Sequence, residues 1–156
     1  MDHIAYIKRL FEYNHWANRE ALASINQADV PPEASMRLIG HIIAVEHLWI
    51  NRLNDNADPV VVWPDLTIDE CETQLGFLKQ MWDSYLSDLS DEKLARSIHY
   101  TTVKGEAFDN HVDDVLMNVI THGTYHRGQI ATALRTAGID PAYTDFIHAI
   151  REGYIK

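Results

Sequence analysis

Two histidines, His122 and His126, are spaced four residues apart in a segment with helical periodicity. Side chains at this spacing lie one above the other on the same face of a helix. Two imidazoles placed in this way can reach one divalent ion at about 2.0–2.1 Å each. The apolar residues of the segment define a core-facing row that includes both histidines: Val112, Val115, Leu116, Val119, Ile120, Ile130, Ala133 and Leu134. The spacing therefore predicts part of a metal site.

A third histidine, His41, lies in an earlier segment with the same periodicity. It stands between Leu38 and Val45 on the inward row, so its imidazole is expected to point into the protein. Without a metal, the pair His122 and His126, or His41 alone, could also point inward because hydrogen bonds to carbonyls or hydroxyls satisfy the imidazoles. Three inward histidines on two helices favour a joint explanation, a three-His site formed by His41, His122 and His126.

Such a site indicates a catalytic metal rather than a structural one. Three neutral imidazoles leave an open coordination position, where the metal lowers the pKa of a bound group and stabilises developing negative charge. No general base can be assigned. Glu46 lies about 500° around the helix from His41, and we interpret Glu46 and His47 as a solvated or interface face. Cys71, on an apolar row, is interpreted as a small buried side chain rather than a nucleophile.

The elements that must position these residues are four helices. Their predicted extents are residues 2–26, residues 33–53, a third helix after the capping box from Thr67 to Glu70, and a fourth that is capped by Asp109 or Asn110 and ends at Gly138. Residues 97–103 read as a strand pair or an extended connection, and a short helix follows Thr144. The predicted fold is all-α: one domain over residues 1–156, an up-down four-helix bundle with a short extended connection before the fourth helix.

Polar residues and glycines interrupt the apolar rows at four positions. Asn14 and Asn18 lie on or beside the inward row of the first helix, so each is expected to hydrogen-bond to another element. Gly123 and Gly128 each cost a helix interior about 1 kcal/mol relative to alanine. We expect them where another backbone or a ligand approaches closely.

The loop between the second and third helices contains an apolar run from Val60 to Trp63. Such a run must cover either the core or a partner subunit. Ile43 and Ile50 widen the apolar surface of the second helix beyond what one small bundle can cover. Together these residues predict self-association, with a homodimer as the simplest form.

The bulk composition limits the partners and the compartment. Thirteen Lys and Arg residues stand against 23 Asp and Glu residues, and the net charge is −10. Phosphate binding needs clustered basic residues, so neither nucleic acid nor an anionic membrane is an expected partner. No run of 18 apolar residues and no signal-peptide pattern is present. The one cysteine cannot form an internal disulfide, and we expect a cytoplasmic protein.

The sequence resembles the DinB-like family over nearly its whole length. The motifs that carry the resemblance are Trp16-Ala17-Asn18, His41-Ile42, Glu46 to Leu53, His122 to Gln129 and Thr144 to Ile147, of which His-x-x-x-His-Arg-Gly-Gln is the most specific. The resemblance implies a four-helix bundle, often homodimeric, whose metal triad falls on His41, His122 and His126 and binds zinc, nickel or a related ion. The family's name comes from damage-inducible expression and not from contact with DNA.

Some branches of the family are thiol-dependent S-transferases or isomerases that use bacillithiol, mycothiol or glutathione. We therefore expect a divalent-metal-dependent enzyme that performs thiol-dependent S-transfer or hydrolysis on a small molecule, with a low-molecular-weight thiol as a candidate partner. Two alternatives stay open. One is a non-catalytic metal-binding stress-response protein in which the ion only rigidifies the bundle. The other is a plain helical bundle whose histidines bind no metal.

Overall fold

Helices account for most of the structure, a computed structural model that describes residues 2–56, 58–102 and 104–156. In chain order the elements are α1 (His3–Ile25), α2 (Glu33–Leu53), α3 (Ile68–Ser87), α4 (Asp91–Ala95), β1 (Ser97–Thr101), β2 (Ala107–His111), α5 (Val112–Thr136) and α6 (Phe146–Arg151). The prediction of a mostly helical chain is confirmed. The all-α description has to be extended by a small two-stranded sheet, and two short helices, α4 and α6, join the four long ones.

The residues at which α1 and α3 begin follow from local capping chemistry. Asp2 accepts a hydrogen bond from the backbone N–H of Ala5 and caps α1. The predicted capping box at α3 is present: the Thr67 hydroxyl accepts from the Glu70 N–H, and the Glu70 carboxylate accepts from the Thr67 N–H. Each side chain satisfies a backbone donor that the first helical turn leaves without a partner.

The start of α5 differs from the prediction. Asp109 and Asn110 do not cap the helix, because they belong to β2 and pair with His99 and Ile98 of β1 in an antiparallel ladder. The cap position is taken by His111, which makes no side-chain capping bond. The predicted strand pair is therefore real and its second strand runs directly into α5. Val103, which was included in the extended segment, lies outside the described residues.

The core lies between the four long helices. Helix α2 packs against α1, α3 and α5, and α1 also packs against α3 and α5. Ile43 and Ile50, which the sequence analysis placed on an apolar surface, are fully buried in this core. That part of the argument for self-association was wrong, because α2 has helices on more than one side. None of the helices in the described ranges is long and apolar enough to cross a membrane.

A polar network is buried at the centre of the core. Glu46 of α2 and Arg127 of α5 are only 5% and 4% exposed. The side-chain amides of Asn14 and Asn18 each donate to Glu46 Oε1, at 2.8 and 2.7 Å, and each accepts a hydrogen bond from Arg127 Nη1, at 2.8 and 2.7 Å. Trp82 Nε1 of α3 donates to Glu46 Oε2 at 2.9 Å. One network thus joins all four long helices.

This network corrects one prediction and confirms another. Glu46 does not lie on a solvated or interface face, because donors from α1 and α3 satisfy its carboxylate inside the protein. Asn14 and Asn18 do hydrogen-bond to other elements, as expected. Burial raises the pKa of the Glu46 carboxyl, and the hydrogen bond from Asn14 is the largest of several opposing effects. Burial also disfavours the charged form of Arg127 and so lowers its pKa, while Tyr13 and Glu46 oppose this shift.

Gly123 is explained by the same network. A Cβ atom at this position would lie 2.8 Å from Arg127 Nη1 and 2.8 Å from Asn14 Oδ1. The close approach expected from another backbone or a ligand is made instead by two buried side chains. At Gly128 a Cβ atom would meet nothing within 4 Å, so the same expectation is wrong there.

We predict that Gly123→Ala lowers the free energy of unfolding by about 1–2 kcal/mol, because overpacking outweighs the gain in helix propensity. Gly128→Ala in the same helix is the matched control, since it gains propensity without a clash and should stabilise by up to about 1 kcal/mol. Urea denaturation of both variants in the presence of a chelator measures the difference. Equal or higher stability for Gly123→Ala would contradict the prediction.

Candidate metal centre

The three histidines singled out from the sequence come together in the structure. His41 is on α2, and His122 and His126 are on α5. One ring nitrogen of each lies within 4.8 Å of the other two, and in the described part of the chain no other group of three such side chains was found. All three side chains are partly buried, and the Nε2 atoms of His41 and His122 are 3.2 Å apart.

The spacing of the His41 and His122 nitrogens suits a shared divalent ion. Two bonds of about 2.0–2.1 Å at a tetrahedral angle would separate the two nitrogens by about 3.4 Å. The observed 3.2 Å between His41 and His122 is close to this value. The three rings lie at steep angles to one another, between 62° and 85°, with centroids 4.5–5.0 Å apart, so no two of them are stacked. Imidazole donors suit zinc and nickel.

Hydrogen bonds at Nδ1 hold two of the rings. His41 Nδ1 lies 2.6 Å from the backbone carbonyl of Val62, and His126 Nδ1 lies 2.6 Å from Gln129 Oε1. A carbonyl oxygen only accepts, so Nδ1 of each ring carries a proton, and in the neutral form of either ring Nε2 has the free lone pair. Partners of this kind fix the tautomer of metal-binding histidines and raise the basicity of the ligand.

Electrostatics keep two of the three histidines in the form that can bind a metal. Burial lowers the pKa of His122 to about 4, with a further decrease from neighbouring His126 and His41. Burial also lowers the pKa of His41, although the hydrogen bond to Val62 opposes the shift. His41 and His122 are therefore neutral at neutral pH, as a metal ligand must be.

The apolar run in the loop before α3 covers one side of the site. The Trp63 indole stacks on the His41 imidazole, with ring centroids 3.7 Å apart and planes at 5°. The Arg37 guanidinium is 5.6 Å from the Trp63 ring centroid, and the Tyr125 ring lies 5.1 Å from His126. Trp63 and Tyr125 are 48% and 65% exposed, so aromatic groups form the rim between the histidines and solvent.

Sequence reasoning missed two residues that hydrogen-bond to these histidines. Gln129 follows His126 by three positions, which places the two side chains on neighbouring parts of the helix surface, and this spacing could have indicated the contact. Val62 acts through its backbone carbonyl, which carries no sequence signal. His47, interpreted as solvated, is partly buried, and burial lowers its pKa while the nearby Gln74 side chain of α3 opposes that shift.

Cys71 is fully buried in the core, as the sequence analysis proposed. Burial raises the pKa of its thiol to about 11, and the negative charge of Glu70 adds to the effect. The thiolate is the reactive form of cysteine, so a buried thiol with this pKa is a poor nucleophile at neutral pH.

Comparisons with known proteins identify the family of the chain. The model of the DinB family matches residues 1–153. The curated protein named Protein DinB, from Bacillus subtilis (strain 168), is 25% identical over 157 residues, which cover 88% of this chain and 90% of that protein. The family match spans nearly the whole chain, and the chain therefore belongs to the DinB family.

We predict that Cys71 of the native protein reacts slowly with iodoacetamide at pH 8. A pKa of about 11 instead of 9.0 lowers the thiolate fraction at this pH by roughly 100-fold. The rate should rise about tenfold with each pH unit between 7.5 and 9.5, since the thiolate fraction grows in that proportion below the pKa. The same chain unfolded in urea is the control. Equally fast labelling of native and unfolded protein would contradict the buried assignment.

Proposed function

We propose that this member of the DinB family is a metal-dependent enzyme that holds one divalent ion, zinc or nickel, between His41, His122 and His126 on an up-down helical bundle. One observation carries the proposal: the ring nitrogens of three partly buried histidines converge within 4.8 Å. Two of these rings are also held at Nδ1 by hydrogen bonds, His41 by the Val62 carbonyl and His126 by Gln129 Oε1.

A divalent ion held by three imidazoles supplies Lewis acidity at a remaining open position, which lowers the pKa of a bound water or thiol. The chain's residues supply the orientation. Glu46, the carboxylate closest to His41 along α2, is satisfied by Asn14, Asn18 and Trp82 and is therefore not offered as a fourth ligand. An open position favours catalysis over the alternative of a metal that only rigidifies the bundle.

The chemistry best supported at this site is thiol-dependent S-transfer, with hydrolysis as the second candidate. Thiolates are good ligands for zinc. The chain's one cysteine is buried and its pKa is raised, so a thiolate at the site would have to come from a small molecule. The net charge of −10 makes a small-molecule substrate a better proposal than a nucleic acid.

The metal site is tested by measuring metal content and affinity for zinc and nickel. We expect about one ion per wild-type chain, and a loss of affinity of at least tenfold in His41→Ala, His122→Ala and His126→Ala, because each removes one of three ligands. His99→Ala, on the exposed face of β1, is the matched control and should leave the affinity unchanged. Full occupancy in His122→Ala at wild-type affinity would refute the site.

The catalytic part of the proposal needs a separate assay. The metal-loaded protein is screened with low-molecular-weight thiols against electrophilic acceptors and hydrolysable esters. We expect turnover by the wild-type protein that disappears in His122→Ala and is retained in His99→Ala. Tight metal binding without turnover in any thiol or ester assay would favour the non-catalytic alternative.

We also propose that the protein self-associates, most simply as a dimer. The support that remains is the apolar loop, in which Val61 is 73% and Trp63 is 48% exposed. Sedimentation equilibrium should give a mass of about twice 17.9 kDa. Val61→Lys places a charge in the proposed contact and should shift the protein toward monomer. A monomer at every micromolar concentration in the wild type would exclude the dimer.

A further inference from the structure

We propose that the covering loop, residues 59–66, positions His41 for metal binding, and that Gly40 is the residue that allows the loop to reach it. The inference rests on the proposed function, because it concerns one of the three proposed ligands. It assigns a role to Val62, Trp63 and Pro64 of the loop and to one glycine of α2. These are positioning residues, since they act through His41.

The first contact determines which ring nitrogen of His41 carries the proton. The Val62 carbonyl lies 2.6 Å from His41 Nδ1, so this nitrogen donates and Nε2 is left without a proton. Nε2 is the atom that faces His122 Nε2, at 3.2 Å. Without the loop carbonyl, a neutral imidazole could place its proton on either nitrogen, and one of the two tautomers would block the proposed ligand atom.

The second contact sets the plane of the ring. Trp63 lies parallel to His41, with a centroid distance of 3.7 Å and an interplanar angle of 5°. A ring held at Nδ1 and covered on one face cannot flip without breaking both contacts. The loop therefore fixes both the proton position and the direction of the proposed ligand atom.

The third contact explains why residue 40 is glycine. A Cβ atom there would lie 3.1 Å from the Pro64 carbonyl oxygen and 3.8 Å from Pro64 Cγ. The Pro64 oxygen belongs to the backbone, so the loop itself would have to move by a few tenths of an ångström. Pro64 directly follows Val62 and Trp63, so a shift of Pro64 would also move the loop residues that contact the His41 imidazole. Gly76 of α3 would meet nothing within 4 Å and offers a matched control.

The three proposed ligands therefore differ in how they are placed. His122 and His126 share α5, so the helix alone fixes their spacing. His41 comes from another helix and depends on a loop for its tautomer and orientation. Outer contacts to metal-binding histidines typically change metal affinity by 10–100-fold when they are removed. Loosening the covering loop should weaken metal binding while the histidine pair on α5 stays in place.

The test compares Gly40→Ala with Gly76→Ala, and Trp63→Ala with Val61→Ala. The metal-free protein is examined by long-range ¹H–¹⁵N NMR, which reports the tautomer of His41. Zinc and nickel affinities are then measured by competition with a chromophoric chelator. We expect the wild type and both controls to show the Nδ1–H tautomer, and Gly40→Ala to show a mixture with an affinity about tenfold lower.

Trp63→Ala keeps the test decisive if Gly40→Ala does not fold, since its side chain is half exposed and its removal leaves the core intact. It too should lower the affinity and loosen the His41 ring. A single Nδ1–H tautomer together with wild-type affinity in either Gly40→Ala or Trp63→Ala would overturn the proposal. Absence of metal binding by the wild type would instead overturn the proposed function, and the tautomer in the metal-free protein would still decide whether the loop positions His41.

Discussion

The structure depends on the pairing of Glu46 with Arg127 through two asparagine amides. Removing a carboxylate or a guanidinium from water costs several kcal/mol per ion unless hydrogen bonds replace the lost solvent. Asn14 and Asn18 can do this because an amide has a donor and an acceptor side: the NH₂ groups face Glu46 and the oxygens face Arg127. The polarity of the network therefore admits one arrangement of α1, α2 and α5.

This constraint extends to the metal site because the same helices carry both. A shift of α2 by one turn, about 5.4 Å, would break the contacts of Glu46 and would also separate His41 from His122. Apolar contacts alone tolerate such shifts more easily, since they have no direction. The network thus selects the register in which His41 Nε2 and His122 Nε2 are 3.2 Å apart.

Most of the helices and the three histidines could be predicted because they depend on local spacing. The bounds of α2 and the capping box at Thr67 follow from periodicity and from side chains within four residues. Glu46 could not be placed correctly, because its hydrogen-bond partners come from α1 and α3, which are distant in the sequence. The start of α5 was missed because cross-strand pairing with β1 competes with helix capping at Asp109 and Asn110.

The run from His126 to Gln129 shows how one short segment can serve both the core and the site. Successive residues on a helix point about 100° apart, so Arg127 turns into the buried network while His126 joins the histidine cluster and hydrogen-bonds to Gln129. Gly128 lies between them, and nothing in the structure explains its lack of a side chain. Because Arg127 is covalently adjacent to His126, the hydrogen bonds that hold its guanidinium also limit how α5 can rotate. A helix that cannot rotate keeps His122 and His126 directed at His41, so the stability of the core and the geometry of the site have the same physical origin.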